Sequence, residues 1–465
     1  MSSSINDLAN ETMSLIFQYL PPNERVRIER VCRRWCFVSR ELSWYNQKTL
    51  LLDGQELAQN FDLTFGKYIS LIGRCGRHLH ELKLKGMYSR KVFVGDQLWS
   101  YVPNLRHLCF DDTRTSSDSV KAIAAQLPNL KSVAFSDIDW SCSSNLNMFL
   151  SNAKLIFLRF PVDKFPERLT FSALPHSLRI LNICARRTEN FYSNRKTSRI
   201  IEILQLAAIY SPALSVLMLP IEFQAGERIL DEVGRLNRLF YLRVSLRISD
   251  ASLFDAFLER IGTQLKALLL ETVDGKILKI IAKHCPNLEH ISFDFFPCSN
   301  SFRHFSALQF VLQLPRLRSV SIGFIREISS KKSAALCAHI LSMFRELVSR
   351  KELEYLQISR EFPLPMSFVA ELCRRNSKIS KISCRISREY TQIDLDEFNT
   401  VLSKLTDSTH RLITLNFFGF CPALIERNNL KIRLVKFRED IDQSLLHHFC
   451  AHSMNSFPSI WNMDE

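Results

Sequence analysis

The sequence predicts an α/β fold: a short three-helix module at the N-terminus, then an irregular solenoid shaped as a horseshoe with a parallel sheet on its concave face. Three observations predict it. A triplet of apolar residues spaced Leu-x-x-Leu-x-Leu recurs along most of the chain at a step of roughly twenty-five residues. The segments between triplets place apolar residues at i, i+3, i+4 and i+7, the spacing of a helix with one buried face. The opening stretch shows that helical spacing without any triplet. Hydrophobic content of 46% and charged content of 23% place the chain among folded proteins rather than disordered ones.

The N-terminal module comes first. Between Glu11 and Leu20, the residues Met13, Ile16, Phe17 and Leu20 fall on one helical face. Pro21-Pro22 stops that helix, since proline has no N–H and collides with the preceding turn. A second helix is expected from Asn23-Glu24, with Asn23 as its cap and Val26, Ile28 and Val31 as its apolar positions. Trp35 and Trp44 follow. So short a module cannot bury all this surface alone, so part of the Met13, Ile16, Phe17 and Leu20 face is expected to be left for a partner. The competing reading is an ordinary helical cap packed on the rest of the chain.

The whole string is more specific than any one helix. It runs Leu8-Ala9-Asn10-Glu11, then Leu15-Ile16-Phe17-Gln18-Tyr19-Leu20-Pro21-Pro22, then Val31-Cys32-Arg33-Arg34-Trp35, then Trp44. It resembles an F-box, the module that docks a protein onto the Skp-type adaptor of a cullin–RING ubiquitin ligase. The resemblance implies an adaptor-binding set of Leu8, Ala9, Glu11, Met13, Ile16, Phe17, Leu20, Val31 and Trp35. The family usually carries proline where Ala9 stands, and that proline is commonly part of the adaptor contact, which implies weaker docking here.

The repeat array follows. Its triplets are Leu79-Leu82-Leu84, Leu105-Leu108-Phe110, Leu130-Val133-Phe135, Leu155-Leu158-Phe160, Leu178-Leu181-Ile183, Leu214-Leu217-Leu219, Leu239-Leu242-Val244, Leu265-Leu268-Leu270, Leu288-Ile291-Phe293, Leu317-Val320-Ile322, Leu353-Leu356-Ile358, Ile379-Ile382-Cys384 and Leu412-Leu415-Phe417. One triplet means little in an apolar-rich chain, but thirteen at a near-constant step mean a repeat. Leu50-Leu51-Leu52 is expected to be a first strand joining the array to the module. Three triplets share a lead-in, at Pro103-Asn104-Leu105, Pro128-Asn129-Leu130 and Pro286-Asn287-Leu288. Helices are expected over Val120–Leu127, Leu253–Ile261 and Ile277–Cys285. Strand, turn, helix and turn at this period resemble a leucine-rich repeat solenoid, in which each unit closes its core only against its neighbours. The family's polar residue after the last leucine is missing: Met87, Thr113, Ile138 and Val273 stand there. The array is therefore expected to be irregular. The implied domains are an F-box over 5–48, the solenoid over 49–435 and a helical tail over 436–465.

Side chains alternate along a strand, so the residues between the buried leucines are expected to face the concavity. In the middle of that grid stand Phe157, Arg159, Val216, Met218, Tyr241, Arg243, Leu269 and Glu271, with Ile180 among them. Aromatic, Met and Arg side chains are common interface anchors, so this patch is the expected substrate-binding site. The competing reading is that irregular repeats bury these residues against a loop or the C-terminal tail. A basic run from Arg186-Arg187 to Arg195-Lys196 and Arg199 is expected to be an exposed insertion, either a docking site for an acidic or phosphorylated partner or a solvated loop.

Other chemistries find no motif. Gly-rich phosphate loops, nucleophile elbows, His-Glu-x-x-His and Cys-x-x-Cys are missing from the sequence. His448 and His452 are spaced for a metal on one helix face but lack further ligands, and no cofactor is expected. The chain is therefore expected to be a non-catalytic subunit whose partners are the Skp-type adaptor, cullin and RING subunits through it, and an unknown protein substrate. A non-ligase repeat scaffold binding a protein or nucleic-acid partner is the alternative. The net charge of +14 could steer acidic partners, though no aromatic-interleaved basic motif points to nucleic acid. Thirteen scattered cysteines suit a reducing compartment, and no apolar run is long enough for a membrane span, so the expected location is the cytoplasm, the nucleus or both.

Overall fold

The computed structural model describes residues 5–54, 65–86, 97–111, 113–138, 147–150, 154–162, 174–184, 194–219, 226–244, 251–295, 306–324, 334–350, 352–358, 362, 364–375, 378–379, 381–384, 400, 413–417 and 430–434. These fall into two compact units, one within Met1–Thr188 and Asn194–Leu214, the other within Ser215–His448.

The first unit opens with three helices, α1 (Asn10–Gln18), α2 (Pro22–Ile28) and α3 (Arg33–Phe37). Pro22, not Asn23, is the first residue of α2, and the extended Pro21 holds the cap position expected of Asn23. Proline is at home there because the first amide of a helix needs no partner within it. A wide turn over Val38–Leu42 then leads to the sheet.

The strands of this unit are β1 (Thr49–Asp53), β2 (Glu81–Lys85), β3 (His107–Asp111), β4 (Arg114–Thr115), β5 (Ser132–Ala134), β6 (Asp137–Ile138), β7 (Phe157–Pro161) and β8 (Ile180–Cys184). β4 and β6 pair with each other. The rest form a parallel ladder in the order β1-β2-β3-β5-β7-β8. Leu50 and Leu52 pair in register with Leu82 and Leu84, so the first strand lies where the sequence places it.

In the second unit, β9 (Val216–Met218), β10 (Tyr241–Val244), β11 (Ala267–Val273), β12 (His290–Phe295), β13 (Ser319–Phe324), β14 (Tyr355–Ile358), β15 (Lys381–Cys384), β16 (Ile413–Phe417) and β17 (Leu430–Leu434) pair in sequence order, all parallel. β17 follows the last recognised triplet and had no triplet to announce it. Leu412 lies outside the described residues.

The triplets make the core. Their middle residues line up across the ladder as Leu82, Leu108, Val133, Leu158 and Leu181 in the first unit. In the second they run Leu217, Leu242, Leu268, Ile291, Val320, Leu356 and Ile382. All are buried. A fully buried side chain of this size contributes about 1.5–3 kcal/mol, and each repeat can bury its own only against the next. Where the third leucine becomes phenylalanine, rings stack instead: Phe110 lies parallel to Phe135 at 5.4 Å, with Trp99 edge-on to Phe110 at 6.2 Å.

Helices fill the steps between strands as the spacing predicts. Ser117–Gln126 is capped by Ser116, whose hydroxyl accepts from the Ser119 amide at 3.1 Å. Gly275–His284 is capped by Asp274, whose carboxylate accepts from the Ile277 amide at 3.0 Å. Ala251–Ile261 turns Phe254, Phe257, Leu258 and Ile261 inward.

A backbone device sets the stride. The carbonyl of the residue just before one strand accepts two successive amides from the next repeat. His80 takes Arg106 and His107, Arg106 takes Lys131 and Ser132, and Lys131 takes Ile156 and Phe157, all at 2.7–3.1 Å. Phe240, Lys266 and Glu289 do the same in the second unit. Two of the Pro-Asn-Leu lead-ins add a side-chain tie: the Asn104 amide donates to the Arg77 carbonyl and Asn287 to the Thr263 carbonyl, each at 2.7 Å. At the consensus polar position itself, Thr113 donates its hydroxyl to the Leu84 and Asp111 carbonyls at 3.1 and 2.9 Å, so that one place keeps a backbone tie. Gly86, at φ 67°, closes the turn after β2, and a Cβ on neighbouring Gly54 would sit 2.5 Å from its carbonyl oxygen.

No helix among the described residues is long and apolar enough to cross a membrane.

Candidate functional site

The helical module carries the first candidate site. Its core is Met13, Phe17 and Val38, with Leu8, Leu20, Ile28 and Trp35 packed around them. Phe17 and Trp35 meet at 5.1 Å between ring centres. This corrects one expectation: Met13 and Phe17 are wholly buried and do not lie on an outer face. The physical reason is that the three short helices need a core of their own, and the inward face of α1 supplies it.

The exposed apolar residues of α1 are Ile16, at the edge of the predicted face, and Leu15 and Tyr19 beyond it. Leu15, Ile16 and Tyr19 are exposed, Tyr19 at 90%. Leu15 and Tyr19 are one helical turn apart and therefore neighbours. Val31 and Phe37 are exposed as well, at 60% and 53%. Of the other predicted residues, Ala9 and Glu11 are exposed, and Leu8, Leu20 and Trp35 are half-buried. Leu15, Tyr19 and Phe37 escaped the sequence reading because a helical wheel shows two sides and does not say which one the fold consumes.

Three arginines hold the module together. Arg25 is buried, stands over the Trp44 ring at 5.0 Å and donates to the carbonyls of Gln18, Leu20 and Ser43 at 2.6, 2.8 and 3.2 Å. It satisfies the C-terminal carbonyls of α1 that the helix cannot satisfy itself. Burial pushes its guanidinium below the usual range. Arg34 donates to the Asn10 side chain at 2.9 Å, to the Leu8 carbonyl at 2.5 Å and to the Asn6 carbonyl. The Trp35 indole donates to the Asn6 side chain at 2.8 Å. Arg34 and Trp35 thus tie down the turn over Ile5–Asp7. Arg74, the third, pairs with Glu29.

The predicted substrate patch is different from expectation. In the first unit Phe157 and Ile180 are buried, and Arg159 is half-buried. In the second, Val216, Met218, Tyr241 and Leu269 are buried, while Arg243 and Glu271 are half-buried. The apolar members therefore do not offer an open surface, and of the two readings the buried one describes them. Tyr241 pairs in register with Val216 and Ala267, and Arg243 with Met218 and Leu269. Arg159 stands opposite Asn182, is hydrogen-bonded to Cys184, and keeps its Nε buried without a partner.

That face of the first unit is also polar. Glu81, Lys83, His107, Cys109 and Ser132 are all buried on it, and Lys83 pairs with Asp111 at 3.4 Å. Burial lowers the His107 imidazole to about 4, with Lys131 and Arg106 adding to the effect. Its Nδ1 is buried without a partner.

Of the basic insertion, residues 186–193 lie outside the described residues. Its remainder opens the helix Asn194–Tyr210, where Arg199 pairs with Glu202 at 2.8 Å, so that half is helical and not a loop. His448 and His452, and the whole tail over 436–465, also lie outside the described residues. Among the described residues no group of three His, Cys, Asp or Glu side chains is placed to hold a metal ion.

Comparison with known proteins adds the following. Residues 5–48 match the family described as F-box-like, so the chain carries an F-box-like domain at its N-terminal end. No curated protein matches the chain. Among solved structures, the Rad7 and Elc1 complex of yeast is similar at 15% identity and a TM-score of 0.47, over 95% of this chain and 100% of that one. A leucine-rich repeat protein of Leptospira interrogans is similar at 14% identity and a TM-score of 0.27, over 77% of this chain and 98% of that one. The TLR13–ssRNA13 complex is similar at 13% identity and a TM-score of 0.30, over 83% of this chain and 61% of that one. The repeat architecture rests on the strand ladder itself.

Proposed function

We propose that this chain is the substrate-recognition subunit of a Skp–cullin–F-box ubiquitin ligase. The observation that carries the reading is the F-box-like domain at residues 5–48 joined to a long array of repeats. The module supports it by its surface: it completes its own core yet leaves Leu15, Ile16, Tyr19, Val31 and Phe37 exposed. Apolar exposure of that kind on a small domain suits a partner surface.

In this reading Leu8, Ala9, Glu11, Ile16, Leu20, Val31 and Trp35 contact the Skp-type adaptor, joined by Leu15 and Tyr19, while Met13 and Phe17 shape the surface from beneath. Cullin and RING subunits follow through the adaptor. The repeats bind the protein to be ubiquitinated, and Arg159, Arg243 and Glu271 are the members of the predicted patch that a substrate can still reach. The chain itself performs no bond-making step. Its contribution is proximity, holding a substrate lysine near an activated ubiquitin.

Ala9 favours a second reading, a repeat scaffold without ligase function, because the usual docking proline is replaced. Co-purification with a Skp-type adaptor separates the two. Wild type should form a stoichiometric complex, and Leu15→Asp/Tyr19→Asp should lose it while melting at the same temperature. No complex from a folded wild-type chain would sink the ligase reading and leave the scaffold.

A further inference from the structure

The residues just before the strands form a row along the rim of the sheet. In the first unit the row runs Lys48, His80, Arg106 and Lys131, where each amide donates to the preceding member's carbonyl at 2.8 Å. Ile156 then ends the charged run. In the second unit the equivalent positions hold Lys266, Glu289, Arg318 and Glu354, joined in the same way at 2.8 Å.

The two rows treat charge differently. In the second unit the signs alternate and neighbours pair. Lys266 meets Glu289 at 3.3 Å, and Arg318 meets Glu289 at 3.9 Å and Glu354 at 2.8 Å. The first unit's row holds three cations, one imidazole and no acid. Arg106 and Lys131 are exposed and form no ion pair among the described residues. Lys48 is half-buried over the Tyr45 ring at 4.7 Å, a contact that leaves its charge uncancelled. The acids of these strands are engaged elsewhere. Asp53 pairs with Lys85 at 3.9 Å and Asp111 with Lys83 at 3.4 Å, both at the far ends of their strands, and Glu81 is buried on the concave face. Nearby Arg77 pairs with Glu41 at 3.3 Å and adds no net charge. The imidazoles register the resulting positive field. Burial, then Arg106 and Lys48, hold His80 below the usual range, and Lys131 and Arg106 add to the burial that lowers His107.

We propose that this rim binds an acidic polypeptide segment, a short run of Asp or Glu laid along the row with its carboxylates on Lys48, Arg106 and Lys131. Neighbouring strands lie about 4.8 Å apart, so the four positions span roughly 14 Å. An extended chain covers that distance with about four residues, and its side chains on one side recur about every 7 Å. The second unit satisfies the same positions from within, while the first leaves them to an acid from outside. Single-stranded nucleic acid binds on aromatic planes as well as on charge, and His80 is the sole ring in this row. The assignment concerns the repeats and does not depend on the adaptor reading.

The test is fluorescence anisotropy on the full chain with a labelled peptide of six glutamates between Gly-Ser flanks, beside the same peptide with glutamines. The glutamate peptide should bind saturably and weaken as salt is added, and the glutamine peptide should not bind. Arg106→Gln/Lys131→Gln should weaken binding about fivefold, the effect of two exposed ion pairs. Lys266→Gln/Arg318→Gln removes the same charge from the row that pairs within itself and should leave binding within about twofold of wild type. A double variant that melts below wild type is replaced by Lys131→Gln or Lys266→Gln alone. Failure of the glutamate peptide to bind wild type would overturn the proposal. So would equal losses from the two rows, which would mean that net charge alone attracts the peptide. Tighter binding of an RNA oligonucleotide of equal charge, lost in Arg106→Gln/Lys131→Gln, would assign the rim to nucleic acid instead.

Discussion

Glu29 and Arg74 form a two-pronged ion pair, Nε to Oε1 at 2.7 Å and Nη2 to Oε2 at 2.9 Å, that fastens the F-box-like helices to the helix Phe65–Cys75. Arg40 reaches the same carboxylate at 2.9 Å. The Glu29 side chain is almost wholly buried. Breaking such a pair from one side leaves a charge that neither water nor a partner fully satisfies. Arg74→Ala should therefore cost about 2–3 kcal/mol in unfolding free energy, and Arg40→Ala, at the exposed end, about 1 kcal/mol or less. Equal losses in chemical denaturation would show that the pair does not anchor the module.

Arg25 makes a sharper prediction. Its guanidinium satisfies carbonyls of Gln18, Leu20 and Ser43 at once. Arg25→Lys keeps the charge but loses the fork, and three directed bonds become at most one or two. Both Arg25→Ala and Arg25→Lys should destabilise the module, by about 2–3 kcal/mol for alanine and somewhat less for lysine. Full rescue by lysine, seen as wild-type melting, would mean that charge alone matters there.

His107 makes the fold sensitive to acid. Burial lowers its imidazole to about 4. The same side chain in the unfolded chain takes up its proton near 6.5, so between these values the unfolded state binds the extra proton. The stability this site contributes is complete above about pH 6.5 and is lost as pH falls toward 4, up to about 3 kcal/mol. His107→Gln should flatten that part of the stability profile. An imidazole NMR signal already protonated at pH 5.5 in the folded chain would contradict the mechanism.

The thiols should react in order of burial. Cys32 is exposed, while Cys75, Cys109 and Cys285 are buried. Burial pushes Cys75 and Cys285 up to about 12 and Cys109 to about 11, so none of them forms the reactive thiolate near neutral pH. Mass spectrometry after brief alkylation should find the label on Cys32 and leave those three unmodified until denaturant is added. Early labelling of Cys285 would mean that its repeat opens locally.

Much of this architecture was legible in the chain. The middle residues of the triplets from Leu82 to Leu181 in the first unit and from Leu217 to Ile382 in the second are buried in register, because a strand's period of two leaves a repeated leucine no other place to go. The helices Ser117–Gln126 and Gly275–His284 were equally readable from their apolar spacing, though their caps, Ser116 and Asp274, were not. Two things were not. Part of the Met13, Ile16, Phe17 and Leu20 face of α1 was expected to be left for a partner; Ile16 is exposed, but Met13 and Phe17 turn inward, and knowing which part the fold consumes takes the neighbouring helices. The residues between the leucines were expected to be open, yet Tyr241, Val216 and Met218 are buried. Alternation says that they leave the leucine side and says nothing of what meets them on the other. The lead-in asparagines were visible as a pattern, but their meaning, a tie to the preceding turn, required coordinates.

The shared carbonyls before each strand have a consequence for how such a chain can change. His80, Arg106 and Lys131 each hold two amides of the following repeat, so the spacing from lead-in to strand is as fixed as the teeth of a gear. Losing one residue there would turn every side chain of that strand to the wrong face. Length can vary between strand and helix, or by whole repeats, and nowhere else. Size in this chain therefore comes in steps, and a cut that falls inside a step leaves a bare edge ready to pair with another molecule.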